Sequence, residues 1–352
     1  MREDISKFLI NIKDIPYDRV SIERILTGFV DLDFFNKGIE FGITELVGDT
    51  NTGKSIFTSS LIDKAILQKY KVAVFAGEHT LRKYKMQLMQ QTAQKGEFQL
   101  VPFIDRYNIY GNNGETNIAD WYVNEDCEKR FGNKYNDNLY LFDVRRNERD
   151  VDTICDFMEY SYTKYGIRFF ILDNLMEIEN NSDNQFQEQT SIATKLRNMA
   201  IKFGLFVVLV MHVNKSGGTD GFRLTVKNAF GSSNITNKGY NIWFLYRKDQ
   251  IITFNKNEKV LDKFKQDCVK CGFDFDKCDA FIETAKTKGN GNGIVGLLYD
   301  ADSKTFKQAP KISKTDADKL YKQYENNANR QTSLSYDDLI PIKDDELDDL
   351  PF

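Results

Sequence analysis

"ITELVGDTNTGKSIFTSSLI", residues 43–62, decides the fold. A short apolar run, Ile43–Val47, leads into Gly48–Ser55, which fits the pattern G-x-x-x-x-G-K-[ST]. Phe57, Leu61 and Ala65 then step by four and make one apolar helical stripe. Strand, loop and helix in that order are the context in which the pattern carries a mechanism. Gly48 and Gly53 let backbone N–H groups converge on anionic oxygens, and the helix turns its positive end toward them. Asp49, Thr50, Asn51, Thr52 and Ile56 complete the candidate cradle. Lys54 is placed to reach the β- and γ-phosphates of a nucleotide, and Ser55 to put its hydroxyl on Mg²⁺. An ordinary glycine-containing turn is the plainer reading, and the agreement of strand, spacing and helix sets it aside.

Working outward, further short apolar runs appear: "VAVFA" (72–76), "LYLFD" (139–143), "FFILD" (169–173), "FVVLVM" (206–211) and "IWFLY" (242–246). Continuous apolar runs of this length suit parallel strands covered on both faces. Ile154, Met158 and Tyr162 repeat the helical step before the fourth run. Strands alternating with helices predict an α/β domain with a mostly parallel sheet flanked by helices. A TIM barrel alternates too, but its phosphate sites do not normally use this loop.

Three residues at strand ends extend the chemistry. Asp173, closing "FFILD", is the second anchor that Mg²⁺ needs. Glu78, just beyond "VAVFAG", is the candidate general base for an attacking water, with an exposed helix-cap glutamate as the bland alternative. His212 ends "FVVLVMH" and suits a γ-phosphate sensor, against a satisfied strand-end histidine.

Totals bound the rest. No apolar run approaches the roughly 20 residues that span a bilayer, and the start "MREDISKFLINIKDIP" lacks a signal peptide's basic opening. A cytoplasmic protein is therefore expected. Five cysteines, odd in number and unevenly spaced, argue against a disulfide framework. The net charge of −4 is uneven: the last sixteen residues, "DDLIPIKDDELDDLPF", hold seven acidic residues against one lysine. An acidic total thus leaves a nucleic-acid partner open.

The ordered blocks "TGFVDLD", "ELVGDTNTGKS", "VAVFAGE", "FFILDNL", "KLRNMAIKFGLFVVLVMH", "AFGSSNITNKGYNIWFLYR" and "AKTKGNGNGIVGLLYD" resemble the RecA-like motor domain of DnaB-type replicative helicases. They are most similar to the Twinkle and phage primase-helicase branch, over about residues 24–308. The resemblance implies a P-loop NTPase forming rings, usually hexamers, around single-stranded DNA and hydrolysing ATP or another NTP at subunit interfaces. A phage-encoded copy would work in the host cytoplasm. The same resemblance assigns Lys54 and Ser55 to phosphate and Mg²⁺, Glu78 to the base, Asp173 to the metal carboxylate and His212 to the sensor. It assigns Lys286 and Lys288 to a basic pair reaching the neighbour's γ-phosphate. The second position is normally Arg, and Lys keeps the charge but not the bidentate fork. Arg247 and Tyr299 fall where the family sandwiches the nucleotide base, a pairing that cation–π attraction suits.

DNA contacts are expected from "NKSGGTDGFRLTVKNAFGSSN" (214–234), with Lys215, Arg223 and Lys227 for charge and Gly231, Ser232, Ser233 and Asn234 for backbone approach to phosphates. Residues 249–281 read as an insertion, in which Cys268, Cys271 and Cys278 are taken as free thiols rather than zinc ligands. The organisation expected is an arm (1–23), a motor domain (24–310) and a flexible acidic tail (311–352). The ending "DDELDDLPF" reads as a docking peptide for a primase, polymerase or other replication protein. Two rivals share these motifs: a recombinase or KaiC-type ATPase that binds DNA without unwinding it, and a non-catalytic DNA-binding or loader protein switched by nucleotide.

Overall fold

The computed structural model describes residues 23–77, 80–100, 121–143, 149–179, 185–213, 222–226, 241–287 and 289–328. In chain order the elements are β1 (Arg24–Ile25), α1 (Val30–Asn36), β2 (Ile39–Glu40), β3 (Gly42–Gly48), α2 (Lys54–Leu67), β4 (Val72–Ala76) and α3 (Leu81–Thr92). Then come β5 (Phe98–Leu100), β6 (Trp121–Val123), α4 (Glu125–Tyr135), β7 (Leu139–Phe142), α5 (Val151–Tyr165), β8 (Phe169–Asp173), α6 (Gln185–Phe203) and β9 (Phe206–His212). The last are β10 (Asn241–Arg247), α7 (Lys248–Phe254), α8 (Glu258–Lys270), β11 (Ala280–Lys286), β12 (Ile294–Asp300), β13 (Thr305–Gln308) and α9 (Lys314–Ala328).

Nine strands form one sheet in the order β13-β12-β11-β10-β3-β9-β8-β4-β7. From β10 to β7 every pairing is parallel, and β11, β12 and β13 add antiparallel at the β10 side. An open sheet of this kind rules out the barrel. The parallel strands β3, β4 and β8 are buried at every position, as strands covered on both faces must be. The six apolar runs read from the sequence are the six parallel strands, each within a residue or so of the expected ends.

Helix α2 buries the Phe57, Leu61 and Ala65 stripe. Phe57 stacks on Phe29 at 5.1 Å between centroids and meets Trp243 of β10 edge-on at 6.2 Å. Burying one such ring is worth about 1.5–3 kcal/mol, which fixes the helix over the sheet and aims its N-terminus. Helix α5 is bounded by its own residues: Asp150 accepts from the N–H groups of Asp152 and Thr153, and Gly166 ends it at φ 69°.

Two expectations need correction. The segment 249–281 is two helices, α7 and α8, and a 3-10 turn (Phe275–Lys277), with its last two residues already in β11. The tail does not begin at 311. Residues 314–328 form α9, which packs on α8 with Tyr324 only 4% exposed and its carbonyl accepting from Gln266 Nε2 at 3.2 Å. Ala317, Leu320, Tyr321 and Tyr324 share one helical face, enough apolar surface to offset ordering. Residues 1–22 and 329–352, including the acidic ending, lie outside the described residues.

Candidate nucleotide site

All six parallel strands point the same way, so their C-terminal ends gather on one edge, where open α/β sheets place their ligands. Gly48 pairs directly with His212 across β3 and β9, and Ala76 with Asp173 across β4 and β8. Position 48 has no room for a side chain: a Cβ there would lie 2.7 Å from Thr52 Oγ1 and 2.9 Å from the Leu245 carbonyl. Gly53, which starts α2, sits at φ 94°, a conformation open to glycine. Asn51 also has positive φ, 62°.

The loop is tied to itself. Thr52 Oγ1 donates to the Asp49 carbonyl at 2.9 Å, and Asp49 Oδ1 accepts from the Thr50 N–H at 2.7 Å. Lys54 is 7% exposed, and its Nζ donates to the carbonyls of Gly48 (3.0 Å) and Asp49 (2.8 Å). No side chain caps α2, and no acidic residue stands in its first turn. Its leading N–H groups are thus what an anion meets on arriving at the loop, beside a buried ammonium.

Ser55 Oγ donates to Asp173 Oδ2 at 2.7 Å, so the hydroxyl and carboxylate named from sequence are in contact. Asp173 is 5% exposed. One hydroxyl beside one buried carboxylate is the sparse protein donor set that suits Mg²⁺, which keeps waters and takes its other ligands from phosphate. His212 joins them: its Nδ1 lies 3.5 Å from Lys54 Nζ, and its Nε2 accepts from Asn174 Nδ2 at 3.0 Å in the tautomer protonated on Nδ1. Asn174 is itself held by accepting from the Met176 N–H at 2.8 Å.

The outer antiparallel strands supply the other end of the site. The Arg247 guanidinium stands 4.9 Å from the Tyr299 ring centre, the pair expected to hold a base. Tyr299 lies opposite Phe306 in the β12–β13 hairpin, ring centres 5.4 Å apart, and a Cβ on Gly53 would come within 3.0 Å of the Phe306 ring. The stacking pair therefore borders the phosphate loop.

Lys286 is elsewhere. It ends β11 opposite Ile242, at the start of β10, whereas Gly48 lies beside Leu245. That is about 10 Å back along the strands and about 10 Å across two of them, toward the sheet's other edge. Glu78, Lys288, Lys215, Lys227, Gly231, Ser232, Ser233 and Asn234 lie outside the described residues.

Arg223 corrects an expectation. It pairs with Asp267 at 2.7 Å and with Glu283 at 2.7 Å, and Glu283 also accepts from the Tyr246 hydroxyl at 3.0 Å. A guanidinium committed to two carboxylates anchors its loop to β11 and α8 and is not offered to a DNA phosphate. The cysteines of the insert are thiols in apolar packing. Burial pushes Cys278 up to about 12 and raises Cys268 and Cys271, the reverse of the thiolate that zinc selects. Among the described residues no three His, Cys, Asp or Glu side chains group as a metal cage, and no helix is long and apolar enough to cross a membrane.

Sequence reasoning missed Asn174, Phe306 and Gln250, whose Nε2 donates to the Thr50 carbonyl at 2.9 Å. Only Asn174 had a signal, as the neighbour of Asp173. The other two act across some 200 residues or more of chain, where no local pattern points.

A search of the curated proteins finds no match to the chain. Among solved structures it is similar to the ATPase domain of a phage protein, at 16% identity with a TM-score of 0.63, covering 88% of this chain and 99% of that one. It is also similar to a DnaB-like replicative helicase described with its interactions with primase, at 16% identity and TM-score 0.60, covering 87% and 68%. At that identity the likeness establishes the RecA-like fold. The model of the DnaB-like helicase C-terminal domain matches residues 24–308, most of the chain and all of the site just described, so this chain belongs to the DnaB-like helicase C-terminal domain family.

Proposed function

We propose that this chain is the ATP-driven motor of a replicative DNA helicase, forming a ring, usually hexameric in the family, around single-stranded DNA. The observation that carries the reading is the contact of Ser55 with Asp173 beside Lys54 at the mouth of an uncapped helix. Lys54 would exchange its loop carbonyls for β- and γ-phosphate oxygens, while the free N–H groups of α2 hold the chain of phosphates. Ser55 and Asp173 would hold Mg²⁺, which when bound neutralises charge on the phosphates. Glu78 would draw the proton from the attacking water, and His212, between Lys54 and Asn174, would report the γ-phosphate to the start of the segment after β9. Arg247 and Tyr299 would stack on the base.

The remoteness of Lys286 from this chain's own loop supports its acting on the nucleotide of a neighbouring copy, with Lys288 two residues on. With Arg223 engaged elsewhere, the DNA contacts fall to Lys215, Lys227 and the Gly231–Asn234 backbone. The acidic ending would recruit a primase, polymerase or similar replication protein.

The test is unwinding of a forked duplex with ATP and Mg²⁺ by the full chain and by Lys54→Ala. The expected result is unwinding by the first and a loss of at least about a thousandfold in hydrolysis by the second, since a positioned charge on transferring phosphate is worth that order. Hydrolysis stimulated by single strands without unwinding would favour the RecA- or KaiC-like alternative, and nucleotide binding without turnover the loader. Unchanged turnover in Lys54→Ala would end the site assignment itself.

A further inference from the structure

Helix α3 carries the run "QLMQQ" (87–91), and its three glutamines reach in two directions. Gln87 Nε2 lies 3.0 Å from Ser59 Oγ and 3.2 Å from the Ser55 carbonyl, on the first turns of α2. Gln90 Nε2 donates to the Asp302 carbonyl at 2.9 Å, and Gln91 Nε2 to the Lys304 carbonyl at 2.8 Å. Asp302 and Lys304 form the turn between β12 and β13, which Asp300 closes by accepting from the N–H groups of Asp302 and Ser303. One residue before that turn stands Tyr299, and one after it, beyond Thr305, stands Phe306 against the phosphate loop.

Gln90 is 9% exposed, and its Oε1 finds no partner among the described residues. The amide cannot be turned round, because Oε1 would then face a carbonyl that only accepts. A buried amide with one end unsatisfied costs more than a single neutral hydrogen bond returns, and a methionine would fill the space more cheaply. Fold stability therefore does not explain this side chain. What it does is hold the hairpin turn at a fixed height over α3.

We propose that Gln90 and Gln91 are positioning residues for the nucleotide base, holding the β12–β13 turn by two carbonyls so that Tyr299 and Phe306 stand where a base stacks beside the phosphate loop. The inference rests on the reading of Arg247 and Tyr299 as the base site and deepens it: discrimination between a nucleotide and a bare polyphosphate is set by α3. Phosphate affinity is not, because Lys54 and the α2 N-terminus are held by other contacts.

The experiment compares ATP, as substrate, with inorganic tripolyphosphate, as competitor, on the full chain and on Gln90→Met/Gln91→Met. The double variant should raise the KM for ATP about tenfold, the equivalent of one to two neutral hydrogen bonds. The inhibition constant of tripolyphosphate should stay within about twofold, and the rise in KM should exceed any fall in kcat. Equal weakening of both ligands, or of neither, overturns the proposal. Gln91→Met alone, at the less buried end of the clamp, serves as the second variant should the double one not fold, with the same split at smaller size. Tyr299→Ala separates the two layers of the argument. If it leaves the ratio of ATP to tripolyphosphate unchanged, no base stacks at the hairpin, and both the base site and the clamp fall. If it shifts the ratio and the glutamine variants do not, the clamp alone is wrong.

Discussion

The two ends of the site are built by different means. The phosphate end is made from the tips of parallel strands and from one contiguous loop; Lys54 and Ser55 follow Gly53 directly, and Asp173 and His212 need only stop their strands at the right height. The base end is made by the antiparallel strands β10 to β13, stacked by aromatic rings and tied by side-chain amides from α3 and α7. The first kind of construction fixes charge. The second fixes distance, and it depends on contacts between residues about 200 apart in the chain.

That contrast can be broken by experiment. Asp173→Asn keeps the shape of the phosphate end and removes its charge. It should cut ATP hydrolysis about a hundredfold and raise the Mg²⁺ needed for half-maximal rate, while ATP binding measured without metal changes little. A loss of binding without metal would mean that Asp173 shapes the loop and leaves the metal to other groups. At the outer strands the largest effect should be on stability. Arg223→Ala leaves Glu283 and Asp267 facing each other's charge in a partly buried pocket, where each side chain is about a fifth exposed. The expected cost is about 2 kcal/mol in urea unfolding, below the range for fully buried pairs. Single-strand affinity should change less than about threefold, and a loss many times greater would return Arg223 to the DNA surface. The smallest effect concerns the insert: a chelator should leave Tm unchanged. Cys278, its thiol pushed up to about 12 by burial and by the nearby Asp274, should react with a thiol reagent at least about a hundred times more slowly in the native chain than in urea.

Sequence legibility follows the same division. The phosphate loop, its helix and the six parallel strands were readable because each is a local pattern of period or spacing. The lateral order of the strands was not. β4 follows the loop helix in the chain, yet lies three places from β3, with β9 and β8 between them. Asp173 accordingly reaches Ser55 from the second strand over, not from the adjacent one. Strand order is decided by where each crossover helix lands, which no single segment encodes. The role of Arg223 was misread for a related reason: composition says that a loop arginine is available, and only the fold brings Glu283 across 60 residues to engage it. Helix α9 was hidden by dilution, since its four-residue stripe is followed by a long polar and acidic stretch that dominates any averaged reading.

Helix α9 also changes what counts as the folding unit. The family match ends at residue 308, and the natural place to trim an expression clone is just beyond it. Yet Lys311 bridges to Asp31 at 2.7 Å, the Ile312 N–H donates to the Gly272 carbonyl at 3.0 Å, and Tyr324 closes over α8. A clone cut at the homology boundary would leave the insert's apolar face wet and its amphipathic helix without a lid. Such a fragment should express poorly for reasons unrelated to catalysis, and the shortest well-behaved version of this motor runs to about residue 328.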